Sequence, residues 1–192
     1  MKYVIDIKAP CEFDTLANDY REQFSTAITG ISSLGMHCSL MLAHAPEHAE
    51  SDMLGELERI AHKPFIAQLT GQTVIFSENK LVAILERSLE LHALHRAVTE
   101  RLANYIDRDE QPAIPYDYKI DKRRKEAHDK FGSVYYGEFY APHITIAALD
   151  LSQFETATFP RIMPYAWSVN EFTISKKQDG VMKQVKTFPL RA

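Results

Sequence analysis

Met36-His37-Cys38-Ser39-Leu40-Met41-Leu42 is matched, 106 residues further on, by Pro142-His143-Ile144-Thr145-Ile146-Ala147-Ala148. Each has the form His-x-hydroxyl-aliphatic inside an apolar run of strand length. The runs predict strands over 34–43 and 142–149. Strand side chains alternate between faces. His37 and Ser39 therefore share one face, with Cys38 and Leu40 on the other. His143 and Thr145 share a face in the same way, opposite Ile144 and Ile146. A single His-x-Ser in a strand carries no meaning. Two copies in matching strands do, because imidazoles and hydroxyls in apolar strands cost stability unless they are paired or line a wet cleft.

Working outward, residues 2–8 alternate like a half-buried strand. Asp14 is placed to cap a helix over Thr15–Thr29, with Leu16, Tyr20, Phe24 and Ile28 on one face. Ser51 precedes a short helix that turns Met53, Leu54, Leu57 and Ile60 inward. Strands are predicted over 64–70, 73–77 and 80–87, with turns at Gly71-Gln72 and Glu78-Asn79. Ser88 opens the best helix, to about Ile106, striped by Leu91, Leu94, Val98, Leu102 and Tyr105. Two final strands, 166–176 and 181–190, flank a turn at Gln178-Asp179-Gly180. Hairpins are frequent and helices fall both between and after strands. That order predicts an α+β fold with antiparallel sheets. No glycine-rich phosphate loop is present, which argues against Rossmann and P-loop sites.

The 192 residues predict one domain spanning 1–192, with a real core and no need of metal or disulfide staples. Residues 107–133 break the periodicity and read as an inserted loop region, with a short helix over 121–130. The composition, 45% apolar and 25% charged, is that of a globular protein. A net charge of −4 excludes a non-specific nucleic-acid coat. Cys11 and Cys38 form no disulfide framework and no metal-ligand spacing. No apolar stretch is long enough to span a membrane, and the start lacks a signal-peptide core. A cytoplasmic location is expected, with no obligate protein partner.

The chemistry that suits two imidazole–hydroxyl pairs is attack on a phosphodiester. One imidazole takes a proton from the attacking oxygen and the other gives one to the leaving oxygen. Histidine suits both tasks because its ordinary pKa is close to working pH. The hydroxyls can donate to the non-bridging phosphoryl oxygens as charge develops there. Such an acid–base pair needs neither metal nor cofactor. His44 with His48, and His92 with His95, have spacings that could place two ligands on a helix, but no third ligand completes either.

At these residues the sequence resembles the 2H phosphoesterase superfamily, which includes the 2′-5′ RNA ligase proteins and the cyclic nucleotide phosphodiesterases. Tyr140-Ala141-Pro142-His143-Ile144-Thr145-Ile146-Ala147 is very close to that family's second motif. His37-Cys38-Ser39 is similar to its first, with Ser39 where Thr is more frequent. The resemblance implies a single bilobal α+β domain with pseudo-twofold symmetry and one catalytic strand per lobe. It implies that His37 and His143 are the acid–base pair and that Ser39 and Thr145 hold the phosphate. The substrates it implies are nucleotides or RNA with a 2′,3′-cyclic phosphate or a 2′-5′ linkage. The rivals are 2′-5′ end-joining of RNA and a non-catalytic nucleotide-binding module.

Two flanking features extend this reading. Lys119-Ile120-Asp121-Lys122-Arg123-Arg124-Lys125 carries five positive charges, so Lys122, Arg123, Arg124 and Lys125 are candidate phosphate contacts. Tyr135, Tyr136, Phe139 and Tyr140 lead into the second motif. Of these, Tyr140 is the candidate for contact with a base.

Overall fold

The two motif strands are neighbours in one sheet. A computed structural model describes residues 1–31, 34–76, 79–115, 118–119, 121–153 and 162–191, with the backbone alone for Leu16. The elements run β1 (Lys2–Lys8), α1 (Cys11–Gln23), β2 (Ile28–Gly30), β3 (His37–His44), α2 (Glu50–Glu58), β4 (Phe65–Phe76) and β5 (Lys80–Leu85). They continue with α3 (Leu89–Leu102), α4 (Lys122–Phe131), β6 (His143–Leu149), β7 (Ala166–Val169), β8 (Glu171–Gln178) and β9 (Val181–Pro189). The strands form a single sheet in the order β7-β4-β5-β6-β3-β1-β8-β9, with β2 also on β6. Every pairing among the described residues is antiparallel. This is the α+β, antiparallel architecture that the hairpin-rich sequence predicts.

One face of the central strands packs against helices. Tyr3, Ile5 and Ile7 of β1, Cys38 and Leu40 of β3, and Ile144 and Ile146 of β6 are all buried. Each fully buried aliphatic side chain contributes about 1.5–3 kcal/mol. α3 packs on β3, and α1 on β6. Ser88 caps α3 by accepting from the Leu91 N–H at 3.1 Å. Leu91, Leu94, Val98 and Leu102 form its buried stripe, as their spacing predicts. No helix among the described residues is long and apolar enough to cross a membrane.

Several boundaries differ from expectation. α1 starts at Cys11, directly after the extended Pro10, and Asp14 lies in its first turn rather than capping it. It ends at Gln23 because Ile28–Gly30 is recruited as a strand against Ala148 and Leu149 of β6. The side chain of Leu16, assigned to its apolar stripe, lies outside the described residues. Gly71 is no hairpin turn. It sits at φ +82° within the continuous strand β4, where the register shifts between Leu69 and Thr73. A β-carbon there would lie 2.9 Å from the Ile162 carbonyl, so glycine permits a close backbone approach. Of the expected Glu78-Asn79 turn, Glu78 lies outside the described residues. The 166–176 stretch is two strands, and β7 joins β4 at the far end of the sheet from β8. The turn at Asp179-Gly180, both at positive φ, joins β8 to β9 as predicted. Within 107–133, Asp121 caps α4 by accepting from the Arg123 and Arg124 N–H groups.

Candidate active site

β3 and β6 meet at the register pair Cys38↔Ile144. One step to either side, His37 faces Thr145 and Ser39 faces His143. These four side chains are half-buried and share a face, while Cys38 and Ile144 are buried on the other. The two histidines occupy one diagonal of the quartet and the two hydroxyls the other. Diagonal neighbours on such a pair lie roughly 7–8 Å apart, which leaves room for a phosphoryl group between them.

The imidazoles are held alike. His37 Nδ1 lies 2.9 Å from the Gly35 carbonyl, and His143 Nδ1 lies 2.7 Å from the Ala141 carbonyl. A carbonyl only accepts, so each Nδ1 carries the proton and donates. Each Nε2 is then the ring nitrogen left for chemistry. Burial lowers the pKa of His143 from its ordinary value. The Ala141 carbonyl opposes that shift, and the charges of Lys80 and His37 add to it. His143 therefore rests as the neutral imidazole. The Phe76 ring lies against it, with centroids 4.8 Å apart.

The strand behind His37 is bracketed by Tyr136, Tyr140 and His95. The Tyr140 hydroxyl donates to the Ser39 carbonyl at 3.1 Å and lies 3.3 Å from Cys38 Sγ. Its ring stacks on His95 at 3.8 Å. The Tyr136 hydroxyl donates to the Leu42 carbonyl at 2.8 Å. Burial pushes the Cys38 thiol up to about 11, so Cys38 is packing and not a nucleophile.

Solved structures resemble this fold along the whole chain. The crystal structure of E. coli LigT complexed with NADP+ matches with a TM-score of 0.66 at 15% identity, covering 100% of this chain and 98% of that one. A crystal structure of a phosphoesterase matches with 0.66 at 16% identity and the same coverage. The protein TT0787 of Thermus thermophilus matches with 0.65 at 20% identity, covering 100% and 98%. The chain has the LigT fold. No family model and no curated protein matches the sequence, so the likeness resides in the backbone arrangement.

On this LigT fold the structure brings His37, Ser39, His143 and Thr145 together, and it separates them from other expected residues. Tyr140 is 5% exposed, buried behind β3, and presents no face to a base. It supports the strand instead. The rings beside His143 are Phe76 and, 5.6 Å further on, Tyr135, with Tyr118 at 5.8 Å from Tyr135. The basic residues lie on α4, beyond those rings. Arg124 is clasped between Tyr118 and Phe139, with ring centroids 4.4 and 4.2 Å from its guanidinium, and it donates to the Val134 carbonyl. That engagement removes it from the candidate phosphate contacts. Arg123 pairs with Glu138, and Lys122 lies 3.8 Å from Glu126, both in exposed positions. Both ring nitrogens of His95 are engaged by backbone groups, so it is not available as a metal ligand with His92.

Sequence reasoning missed the polar pair on β1. Lys8 faces His37 across the β1–β3 ladder, and Asp6 faces Ser39. Lys8 Nζ lies 3.3 Å from the buried Asp6 carboxylate and donates to the Leu34 carbonyl at 3.2 Å. Thr173 donates to Asp6 at 2.8 Å. The signal was an acid and a base two residues apart in an otherwise apolar strand, which puts both on the motif face.

Proposed function

We propose that this chain is a metal-independent phosphoesterase of the 2H type, a single bilobal domain over 1–192. The proposed substrates are RNA-type 2′,3′-cyclic phosphates or 2′-5′ phosphodiesters. One observation carries the reading. Two imidazoles, each with Nδ1 tied to the carbonyl two residues before it, sit on one diagonal of a quartet whose other diagonal is two hydroxyls. A phosphoryl group between them has a proton acceptor on one flank, a proton donor on the other, and hydroxyl donors for its non-bridging oxygens.

His143, neutral at rest, accepts the proton of the attacking oxygen through Nε2. His37 delivers a proton to the departing ribose oxygen. On a cyclic phosphate the attacking group is water. On a 2′-5′ linkage it is the neighbouring 3′-hydroxyl, and the product is a cyclic phosphate. In the reverse direction the two histidines exchange roles. Ser39 and Thr145 hold the phosphoryl oxygens, and Phe76 and Tyr135 offer ring faces for a base beside His143. LigT has been crystallised with 3′-AMP and with ATP, which supports a nucleotide ligand for the shared fold. The expected working compartment is the cytoplasm.

The test is a panel of 2′,3′-cyclic nucleotides, 2′-5′ and 3′-5′ dinucleotides and nicked RNA, with products identified by mass. Ring-opened monophosphates from the cyclic nucleotides, formed at least about 100-fold more slowly by His37→Ala and His143→Ala, are the expected result. Near-wild-type turnover in either variant would remove the histidine pair from the mechanism.

A further inference from the structure

The two motif strands share an irregularity. Against β1, the register of β3 passes from Ile5↔Met41 to Asp6↔Ser39, so Leu40 is an extra residue. Against β5, the register of β6 passes from Leu81↔Ala147 to Val82↔Thr145, so Ile146 is an extra residue. Each bulge follows its motif hydroxyl directly. A bulge residue drops out of the ladder, and the bend it causes re-aims the side chains beside it. Leu40 and Ile146 are both buried, and a buried carbonyl without a ladder partner must find another donor.

Each carbonyl finds that donor on a helix behind the sheet. His95 of α3 donates from Nδ1 to the Leu40 carbonyl at 2.8 Å. The Gly137 N–H donates to His95 Nε2 at 3.0 Å, which leaves Nδ1 as the protonated nitrogen. Arg21 of α1 donates to the Ile146 carbonyl twice, from Nε at 3.3 Å and from Nη2 at 3.2 Å. Asn18 holds the third guanidinium nitrogen at 2.7 Å. The two helices differ in sequence and in their place in the chain. They meet the same need at the same offset from the histidine.

We propose that His95 and Arg21 are matched positioning residues, each locking the bulge that aims one phosphate-holding hydroxyl: His95 for Ser39 and Arg21 for Thr145. The assignment rests on the phosphoesterase reading for its catalytic consequence. Neither residue touches substrate. Each acts through one backbone carbonyl on the hydroxyl next to it, so each is coupled to its own hydroxyl and not to the other.

Double-mutant cycles read that coupling. On a 2′,3′-cyclic nucleotide, Arg21→Met is expected to lower kcat about 10- to 100-fold with KM little changed, the scale of a misplaced catalytic group. Added to Thr145→Ala it should cost less than about 2-fold, and added to Ser39→Ala it should keep its full effect. His95→Phe keeps the ring against Tyr140 but loses the donor, and should show the converse pattern. Arg21→Lys, which retains a donor, should recover most of the loss. Equal losses in every background would mean general destabilisation and would overturn the proposal. Crystal structures of Arg21→Met and Arg21→Lys give a readout that needs no turnover. Thr145 Oγ1 should shift in the first, return in the second, and leave Ser39 in place in both. An unmoved Thr145 in Arg21→Met overturns the inference even if the enzyme is active. A moved Thr145 in a protein without phosphoesterase activity upholds the positioning and defeats only the proposed reaction.

Discussion

Acid should weaken the fold chiefly through His95. This imidazole is fully buried, and a second proton on Nε2 would face the Gly137 N–H, donor against donor. Burial pushes its pKa from 6.5 down to about 4, the Leu40 carbonyl opposes the shift, and His92 adds to it. In the unfolded chain the ring takes its proton near pH 6.5, and in the folded protein near pH 4. The unfolded state therefore binds more protons between those values, so stability is complete above pH 6.5 and falls as the pH drops toward 4. The gap corresponds to about 3 kcal/mol. His92 and His143 are shifted in the same direction, also first by burial, and steepen the same slope. Urea unfolding from pH 7.5 to pH 4 measures it, with wild type set beside His95→Gln. Glutamine keeps a donor for the Leu40 carbonyl and cannot titrate. It should cost some stability at pH 7 and flatten the fall by about 3 kcal/mol. A variant as steep as wild type across this window would refute the account of His95 as a buried neutral base.

Three further outcomes are expected. His37→Ala and His143→Ala should each lower kcat by about 10²–10⁴-fold, and Ser39→Ala and Thr145→Ala by about 10–10³-fold, with melting temperatures near wild type; steady-state kinetics and thermal melts check both. Turnover should survive excess EDTA and follow a bell-shaped pH profile whose limbs belong to the histidine pair together, whereas loss in chelator with rescue by a divalent ion would point to a metal. Changing Lys122, Arg123 and Lys125 to Ser should weaken oligonucleotide binding and reduce the salt slope by about 0.7 for each phosphate no longer neutralised, while Arg124→Ser should instead lower the melting temperature, because its guanidinium bridges Tyr118 and Phe139.

The site quartet is legible in the sequence because strand alternation needs only local information. His-x-Ser and His-x-Thr put each pair on one face before any partner strand is known. The α3 stripe and the Asp179-Gly180 turn are legible for the same reason. What escapes a sequence reading is what depends on pairing. The end of α1 misleads because Phe24 and Ile28 continue a helical spacing, yet the end of β6 beyond its join with β3 takes Ile28–Gly30 as a strand. Tyr140 misleads because an aromatic beside a motif has the same sequence signature whether it faces the cleft or supports the strand from behind. The stack on His95 decides for support. Arg21 and His95 are invisible as a pair, since neither bulge is written in the residues that form it.

The proposed chemistry of the quartet depends on the direction of the one join between the motif strands. In a displacement at phosphorus the attacking and leaving oxygens are roughly in line, on opposite sides of the phosphorus. The base and the acid must therefore stand on opposite flanks. Two copies of His-x-hydroxyl on parallel strands would put histidine beside histidine and hydroxyl beside hydroxyl, with acid and base on the same flank. Antiparallel pairing through Cys38↔Ile144 reverses one copy and crosses the diagonals. A shift of this join by one residue would break the arrangement, because side chains alternate faces and one motif would turn into the core. The apolar residues between the polar ones prevent that. Cys38, Leu40, Ile144 and Ile146 are all buried behind the sheet, and a one-residue slip of either strand would bring its histidine and hydroxyl to that side in their place. The residues that take no part in the proposed chemistry thus fix where its four side chains stand.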